Sequence, residues 1–218
     1  GLVTRLAEVL EGALDDPTAT LELWVAEVDR DREDEHAISE VVRLARALDH
    51  RQHLGHALEA LADLRSGSDQ VALLLERGLL HRDARADSAG SRQRALDCFR
   101  KVLELDPKNP EAIEQLRLVL RERDDRRALL ELVENSAQLL HADLDPQRAT
   151  ERELERLKEL SMEAAALAAE SGDHARAVAS LEALRESYVD REVLEQLRDL
   201  YRHTDRPHAL AKTLTSLS

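Results

Sequence analysis

Residues 111–129, EAIEQLRLVLRERDDRRAL, recur 81 positions later as residues 192–210, EVLEQLRDLYRHTDRPHAL. The two segments share Glu-Gln-Leu-Arg, at 114–117 and 195–198, and five further identical residues in the same register. A composition rich in Leu and Ala gives isolated matches by chance, but rarely this many in register. Apolar residues within both segments are spaced by three and four, which is the period of an amphipathic helix. The chain therefore contains an internal repeat made of helices.

The composition extends this reading to the whole chain of 218 residues. Charged residues make up 35% and aromatic residues 2%, with seven Gly and five Pro. Leu, Ala, Glu and Arg favour helices, whereas β-branched and aromatic residues, which favour strands, are scarce. Only Trp24, Phe99, Tyr188 and Tyr201 are aromatic. We predict an elongated stack of helices with a thin Leu/Ala seam rather than two compact globules.

Turn-forming residues divide the chain into about twelve helices, and the short connections predict antiparallel hairpins. Apolar or small residues in the second helix of each hairpin are spaced by four and then three. Such spacing places them on one face, which a neighbouring helix must cover. The five series are Leu54, Leu58, Leu61; Ala95, Phe99, Val102; Leu129, Val133, Ser136; Ala177, Leu181, Leu184; and Leu210, Leu214, Leu217.

A known repeat family has the same spacing. The stretch Ala95-x₃-Phe99-x₂-Val102-x₄-Pro107, followed by Asn109-Pro110, resembles the second helix and closing turn of a tetratricopeptide repeat. Gly78 and His81 resemble the small and aromatic pair of that family's first helix. Three further matches are Ile113-x₂-Leu116-x₃-Leu120, Leu194-x₂-Leu197-x₃-Tyr201 and the turn Gly172-x₄-Ala177-x₃-Leu181.

The resemblance implies an all-α fold, a right-handed α-α superhelix (solenoid) of five to six antiparallel helix hairpins. We expect a degenerate N-terminal hairpin at 1–34, with Leu6, Val9 and Ala13 on its first helix. A repeat array at 35–218 follows, with units near 35–70, 71–109, 110–145, 146–190 and 191–218 in one continuous domain. Extra residues around Ser88 to Gly90, and some 14 around Asp145-Pro146, depart from the family pattern, so a generic α-solenoid remains the alternative.

The same resemblance implies a site for a partner. In this family the first helix of each hairpin lines a concave groove, and here mainly acidic residues occupy the groove positions. We therefore expect a neutral-to-basic protein or peptide ligand and not an acidic chaperone tail. The predicted partner-binding residues are Glu111, Glu114, Leu118, Arg121, Glu192, Glu195, Asp199 and Arg202.

Net charge argues against two classes of partner. The chain carries −14, and residues 1–35 alone hold eleven acidic and three basic side chains. Such a surface repels phosphate backbones and anionic lipid, so neither nucleic acid nor a membrane is expected as a partner. The acidic run at 29–35 is either a second docking patch for a basic partner or a solvated turn.

Catalytic and metal-binding patterns are sparse. His50, His53 and His56 follow Asp49 at a spacing of three, which could ligate zinc or nickel, although surface histidines are the simpler interpretation. Cys98, the single cysteine, excludes an intrachain disulfide and is read as a small buried hydrophobe. No nucleophile elbow, phosphate-binding glycine loop or zinc-protease motif occurs. We expect no enzyme activity, no metal and no cofactor.

Three functions remain open from the sequence. The first is a protein-interaction scaffold, the second is self-assembly into a homo-oligomer through uncovered end hairpins, and the third is a regulatory domain of a larger enzyme. No run of about 18 apolar residues and no signal-peptide pattern occurs, so a cytoplasmic location is expected. The first residue is Gly, which suggests a processed end or a fragment. The excess of Arg over Lys, 27 to four, resembles bacterial repeat arrays.

Overall fold

Twelve α-helices make up nearly all of the structured chain. The computed structural model describes residues 1–83, 89–145 and 148–217. No strand occurs within these ranges. The helices are α1 (Leu2–Gly12), α2 (Pro17–Arg30), α3 (Glu35–Ala47), α4 (Arg51–Leu64), α5 (Gly67–Arg82), α6 (Ala89–Leu105), α7 (Pro110–Glu122), α8 (Arg126–Asp143), α9 (Glu151–Glu170), α10 (His174–Ser187), α11 (Arg191–His203) and α12 (Pro207–Leu217).

The helices pack in chain order. The chain divides into two compact units, residues 1–119 and 120–218, with the boundary inside α7. In the first unit consecutive helices contact each other from α1 through α6, and in the second unit the same holds from α8 through α12. Gln70 at the start of α5 donates to the Ala62 carbonyl at the end of α4 (3.0 Å), so these neighbours are antiparallel. The prediction of an all-α fold built from antiparallel helix hairpins is confirmed.

The turn inside each hairpin is built the same way. In each described turn between the two helices of a hairpin, one residue has a left-handed backbone with φ between 50° and 83°. These residues are Asp15, Asp49, Asp124, Gly172 and Asp205. Among residues other than glycine, Asp is one of the few that tolerates this region. The next residue often caps the second helix: Asp125 accepts from the Ala128 amide (3.2 Å), and Asp173 accepts from the Arg176 amide (3.0 Å). The corresponding turn between α5 and α6, with Ser88, lies outside the described residues.

We expect two glycine substitutions to change stability in opposite directions. Gly172→Ala places a side chain at φ +83° and should cost about 1–2 kcal/mol. Gly90→Ala, at the second residue of α6 with no described atom within 4 Å of its Cβ position, should instead gain up to about 1 kcal/mol. Urea unfolding followed by circular dichroism measures both. A Gly172→Ala protein as stable as the parent would mean that the α9–α10 turn does not hold the left-handed backbone.

The predicted seam of second helices is buried in four of its five series. All three residues are buried in each of the series that begin at Leu54, Ala95, Leu129 and Ala177. Phe99 is fully buried, as predicted from its spacing. The last series differs, because Leu214 on α12 is 44% exposed and Thr213 is buried in its place. The predicted seam is therefore incomplete on α12.

The apolar stripe predicted for α1, Leu6, Val9 and Ala13, does not face the core. Leu2 is 86% exposed, Leu6 48% and Val9 50%, and Ala13 is also exposed. Ala7 is the buried residue of α1. On α2, by contrast, Leu21 and Trp24 are buried in a core with Ile38 and Val41 of α3. The first helix thus contributes Ala7 and the partly buried Val3 to the core and leaves Leu2, Leu6 and Val9 in solvent.

Near Asp145, where the sequence has residues in excess of the repeat pattern, the two flanking helices are long. α8 has 18 residues and α9 has 20, the two longest helices described. Thr150 and Glu153 form a capping box at the start of α9, with the Glu153 carboxylate accepting from the Thr150 amide at 2.8 Å. Pro146 lies outside the described residues.

Candidate functional site

All eight predicted partner-binding residues reach solvent. Glu111, Glu114 and Leu118 lie on α7 in the first unit, and Leu118 is 36% exposed. In the second unit, Arg121 ends α7, while Glu192, Glu195, Asp199 and Arg202 follow one face of α11. The residues on the opposite side of each helix are buried, among them Ile113, Leu116, Val193 and Leu197. Within each unit, the exposed sides of the first helices are called the first-helix face.

Cationic partners neutralise most of the acids on this face. Glu195 Oε1 accepts from Arg191 Nε at 2.8 Å, and Glu192 Oε2 lies 2.8 Å from Lys158 Nζ. Asp199 accepts two hydrogen bonds from Arg198 (2.8 and 3.0 Å). These bonds, together with the positive charges of Arg198 and Arg202, hold the pKa of Asp199 below its usual value. The negative field expected from the sequence is therefore weaker than a count of acids suggests.

Ion pairs also join successive first helices. Arg43 on α3 makes two parallel bonds to Glu11 on α1, at 2.9 and 2.8 Å, and its hydrogen bonding holds the pKa of Glu11 below its usual value. Arg46 makes the same fork to Glu76 on α5. In the second unit, Arg121 pairs with Glu163 on α9, and Lys158 on α9 pairs with Glu192. The paired side chains stand about one repeat apart in sequence.

Glu114 has a structural role that its sequence position did not reveal. Its carboxylate lies 2.7 Å from the guanidinium of Arg117, which is 2% exposed. A buried guanidinium needs a compensating carboxylate because the loss of hydration is costly. Substitution of Glu114 therefore tests packing as well as ligand binding. Its counterpart Glu195 pairs with Arg191, whose side chain is 84% exposed, so Glu195 is the cleaner probe.

The acidic run at 29–35 forms an ordered turn. Asp34 caps α3 by accepting from the Ala37 amide (3.0 Å), and Asp31 accepts from the Glu33 amide (3.0 Å). Glu35 pairs with Arg65 at the end of α4. Asp34 and Glu35 thus anchor the start of α3 and Asp31 stabilises the turn, and the exposure of residues 29–33 supports the interpretation of this run as a solvated turn.

The histidine cluster and the cysteine were the other candidates. The rings of His50 and His53 stack with centroids 4.3 Å apart. Burial lowers the pKa of His53, and so do the positive charges of His50 and His56. Within the described part of the chain, no group of three or more His, Cys, Asp or Glu is placed to hold a metal ion. Cys98 is buried, and burial raises the pKa of its thiol. It is the small core residue expected from sequence.

Among the cavities of the described residues, one in each unit lies between two successive second helices and over the first helix that separates them. In the first unit a cavity of about 320 Å³ is bounded by α4, α5 and α6. In the second unit a cavity of about 310 Å³ is bounded by α8, α9 and α10. Small side chains line the second cavity, including Ala137, Ala164, Ala179 and Ser161. The sequence patterns did not indicate either cavity.

The chain has a tetratricopeptide-like fold, as its helix pairs, their left-handed turns and the contact of Gly78 with Phe99 show. No family model and no curated protein sequence matches it. Similar solved structures include MamA from Desulfovibrio magneticus, 14% identical, covering 86% of this chain and 93% of that chain with a TM-score of 0.40. YrrB, titled a TPR protein with an unusual peptide-binding site, is 13% identical, covering 88% and 87%, with a TM-score of 0.42.

A third similar structure is a tetratricopeptide repeat protein from Parabacteroides merdae. It is 14% identical, and the match covers 99% of this chain and 76% of that chain with a TM-score of 0.39. None of the helices in the described ranges is long and apolar enough to cross a membrane.

Proposed function

We propose that this chain is a non-enzymatic scaffold that binds a protein or peptide partner through its first-helix face. The observation that carries the proposal is the exposed row on α11, where Glu192, Glu195, Asp199 and Arg202 share one side. Val193 and Leu197, on the opposite side, anchor the helix in the core. A rigid helix that holds a row of polar side chains in solvent provides a preorganised surface for a ligand.

The charge pairs define what kind of ligand suits this face. Because most of its acids are paired, the face offers carboxylates and guanidiniums side by side rather than a uniform negative field. We expect a neutral-to-basic segment whose polar groups exchange partners with these pairs. The contacts lie partly in solvent, so they should govern association rate and orientation more than affinity. The net charge of −14 still disfavours an acidic ligand.

The experiment compares two charge reversals at matched ion pairs. Glu195 on α11 pairs with Arg191, and Glu131 on the second helix α8 pairs with Arg127, both through Arg–Glu contacts four residues apart. A partner captured by the full chain from its source cell is titrated against the parent, Glu195→Lys and Glu131→Lys by surface plasmon resonance. We expect Glu195→Lys to slow association with the partner about tenfold, since it reverses a charge at the contact.

Glu131→Lys should leave the kinetics unchanged, because both pairs are exposed and contribute little to stability. Circular dichroism confirms that each variant is folded. Equal kinetics for Glu195→Lys and the parent would place the partner away from the first-helix face.

Self-assembly is a second candidate, and the uncovered stripe of α1 favours it. Leu2, Leu6 and Val9 expose large apolar surface along one side of that helix. Burial of such surface against a second copy would be favourable. Light scattering on the parent and on Leu6→Glu separates the two functions. If the chain self-assembles through α1, the parent forms an oligomer and the Leu6→Glu variant is a monomer.

A further inference from the structure

Arginines outnumber acidic residues three to one in the described lining of the cavity in the first unit. Three arginines and two histidines border it, together with one acidic residue among the described lining residues, Glu59. This concentration of cationic side chains stands out in a chain with a net charge of −14. The cationic cavity, as it is called below, is lined by Arg51, Gln52, Gly55, His56, Glu59, Arg77, Leu80, His81 and Arg94.

Two buried nitrogens at this cavity have no hydrogen-bond partner within the described residues. They are Nε of Arg77 and Nε2 of His81, both on α5. A buried donor without a partner costs free energy, so such groups in native proteins commonly face a ligand or water. Arg77 is held in place by Glu59, whose Oε2 lies 2.7 Å from Arg77 Nη2. Glu59 and Cys98 both contact the Arg77 side chain, while its Nε has no hydrogen-bond partner within the described residues.

The remaining cations come from the two flanking helices. Arg51, at the start of α4, donates to the Leu80 carbonyl at the end of α5. Arg94, on α6, is exposed at the rim. The positive potential at the site is reflected at His81, where burial and the charges of Arg77, Arg94 and Arg51 lower the pKa. Arginines from three helices thus border one pocket that is open to solvent.

The fold does not by itself require a cationic lining. The cavity at the corresponding place in the second unit is bordered mainly by alanine, serine and leucine. Its one arginine, Arg176, forms a fork with Glu134. The two cavities have nearly the same volume, so the cationic side chains are a feature of this sequence at this position.

We propose that the cationic cavity binds a phosphoryl group. Guanidinium groups donate in a fork that matches phosphate oxygens, and an imidazole with its proton on Nε2 adds a further donor. A phosphate monoester presents three terminal oxygens and nearly two negative charges, which uses this set of donors more fully than a carboxylate does. A volume of about 320 Å³ accommodates a phosphorylated side chain or a small phosphorylated molecule.

The cationic cavity is separate from the first-helix face, so the two proposals succeed or fail independently. The phosphoryl group can belong to a phosphorylated segment of a partner or to a free molecule. A phosphoserine peptide, its unphosphorylated form, inorganic phosphate and acetate are the four probes. Each is titrated into the full chain by isothermal calorimetry, and the phosphorylated probes are also followed by phosphorus NMR.

The matched variants are Arg94→Gln and Arg127→Gln. Both remove one charge from an exposed arginine, but Arg127 lies on α8, outside the cavity, with its side chain 91% exposed. We expect the phosphorylated probes to bind the parent and Arg127→Gln alike and to bind Arg94→Gln about tenfold more weakly, as for one charge-assisted contact. Tighter binding of the phosphopeptide than of phosphate assigns the group to a partner segment, whereas equal binding assigns it to a free molecule.

Three results would overturn the proposal. The first is that neither phosphorylated probe binds. The second is that Arg94→Gln and Arg127→Gln weaken binding equally, which would show a general attraction between charges. The third is that acetate or the unphosphorylated peptide binds as tightly as the phosphorylated probes.

Discussion

Phe99→Ala is expected to lower the free energy of unfolding by about 3–5 kcal/mol, the usual cost of truncating a large buried side chain. Phe99 is fully buried, and its ring occupies the space over Gly78 on the first helix of its own hairpin. Removal of the ring leaves a cavity that the backbones of α5 and α6 cannot close without a shift. The substitution should therefore destabilise the first unit as a whole.

Urea unfolding of the first unit can be followed at a single site. Trp24 is the only tryptophan and is buried in that unit, so its fluorescence reports local unfolding there. Phe99→Leu serves as the control, because it keeps most of the apolar volume and should cost about 1 kcal/mol. A loss of less than 1 kcal/mol for Phe99→Ala would contradict the packing of α5 against α6 around this ring.

The sequence predicted the burial of Phe99 because burial follows from periodicity. Residues spaced by four and three share one face of a helix, whatever lies against that face. The same spacing correctly predicted the burial of Leu58, Val133 and Leu181. It wrongly predicted the burial of Leu6 and Val9, because the apolar stripe of α1 does not determine on which side α2 packs. Ala7, a small residue on another side, makes that contact instead.

The electrostatics of the first-helix face were harder to predict than its position. Spacing places Glu195 and Asp199 on an exposed side, and the structure has them there. Whether such acids attract a ligand depends on their partners, and those are set by rotamers and by the approach of neighbouring helices. Glu192, for example, pairs with Lys158, 34 positions earlier. A separation near one repeat length is the sequence signal for such pairs.

The cationic cavity has no sequence motif at all. Arg51, Arg77 and Arg94 belong to three helices, and nothing in their spacing sets them apart from the chain's other arginines. Their convergence follows from the stacking of α4, α5 and α6, which a linear pattern does not contain. Residue spacing predicts which side of each helix is buried. Which side chains meet between neighbouring repeats can be seen only once the helices are packed together.

Gly78→Ala is expected to cost about 1–3 kcal/mol, as for overpacking of a core, although alanine favours helices by about 1 kcal/mol over glycine. A Cβ at this position would lie 2.5, 2.8 and 2.9 Å from three ring atoms of Phe99. No real Cβ approaches another carbon so closely, so the ring or a helix must move. Close approach of α5 to α6 thus depends on the absence of a side chain at this residue.

A second buried glycine in a helix provides the matched control. At Gly55 on α4, an added Cβ would meet its nearest atom, Leu80 Cδ2, at 3.5 Å, an ordinary van der Waals contact. Gly55→Ala should therefore leave stability unchanged or raise it by up to about 1 kcal/mol through helix propensity. The double variant Gly78→Ala with Phe99→Leu tests the mechanism, because the smaller side chain makes room for the methyl group. Its unfolding free energy, from Trp24 fluorescence in urea, should exceed the value calculated from the two single variants. If the two losses simply add, the ring of Phe99 is not what excludes a side chain at residue 78.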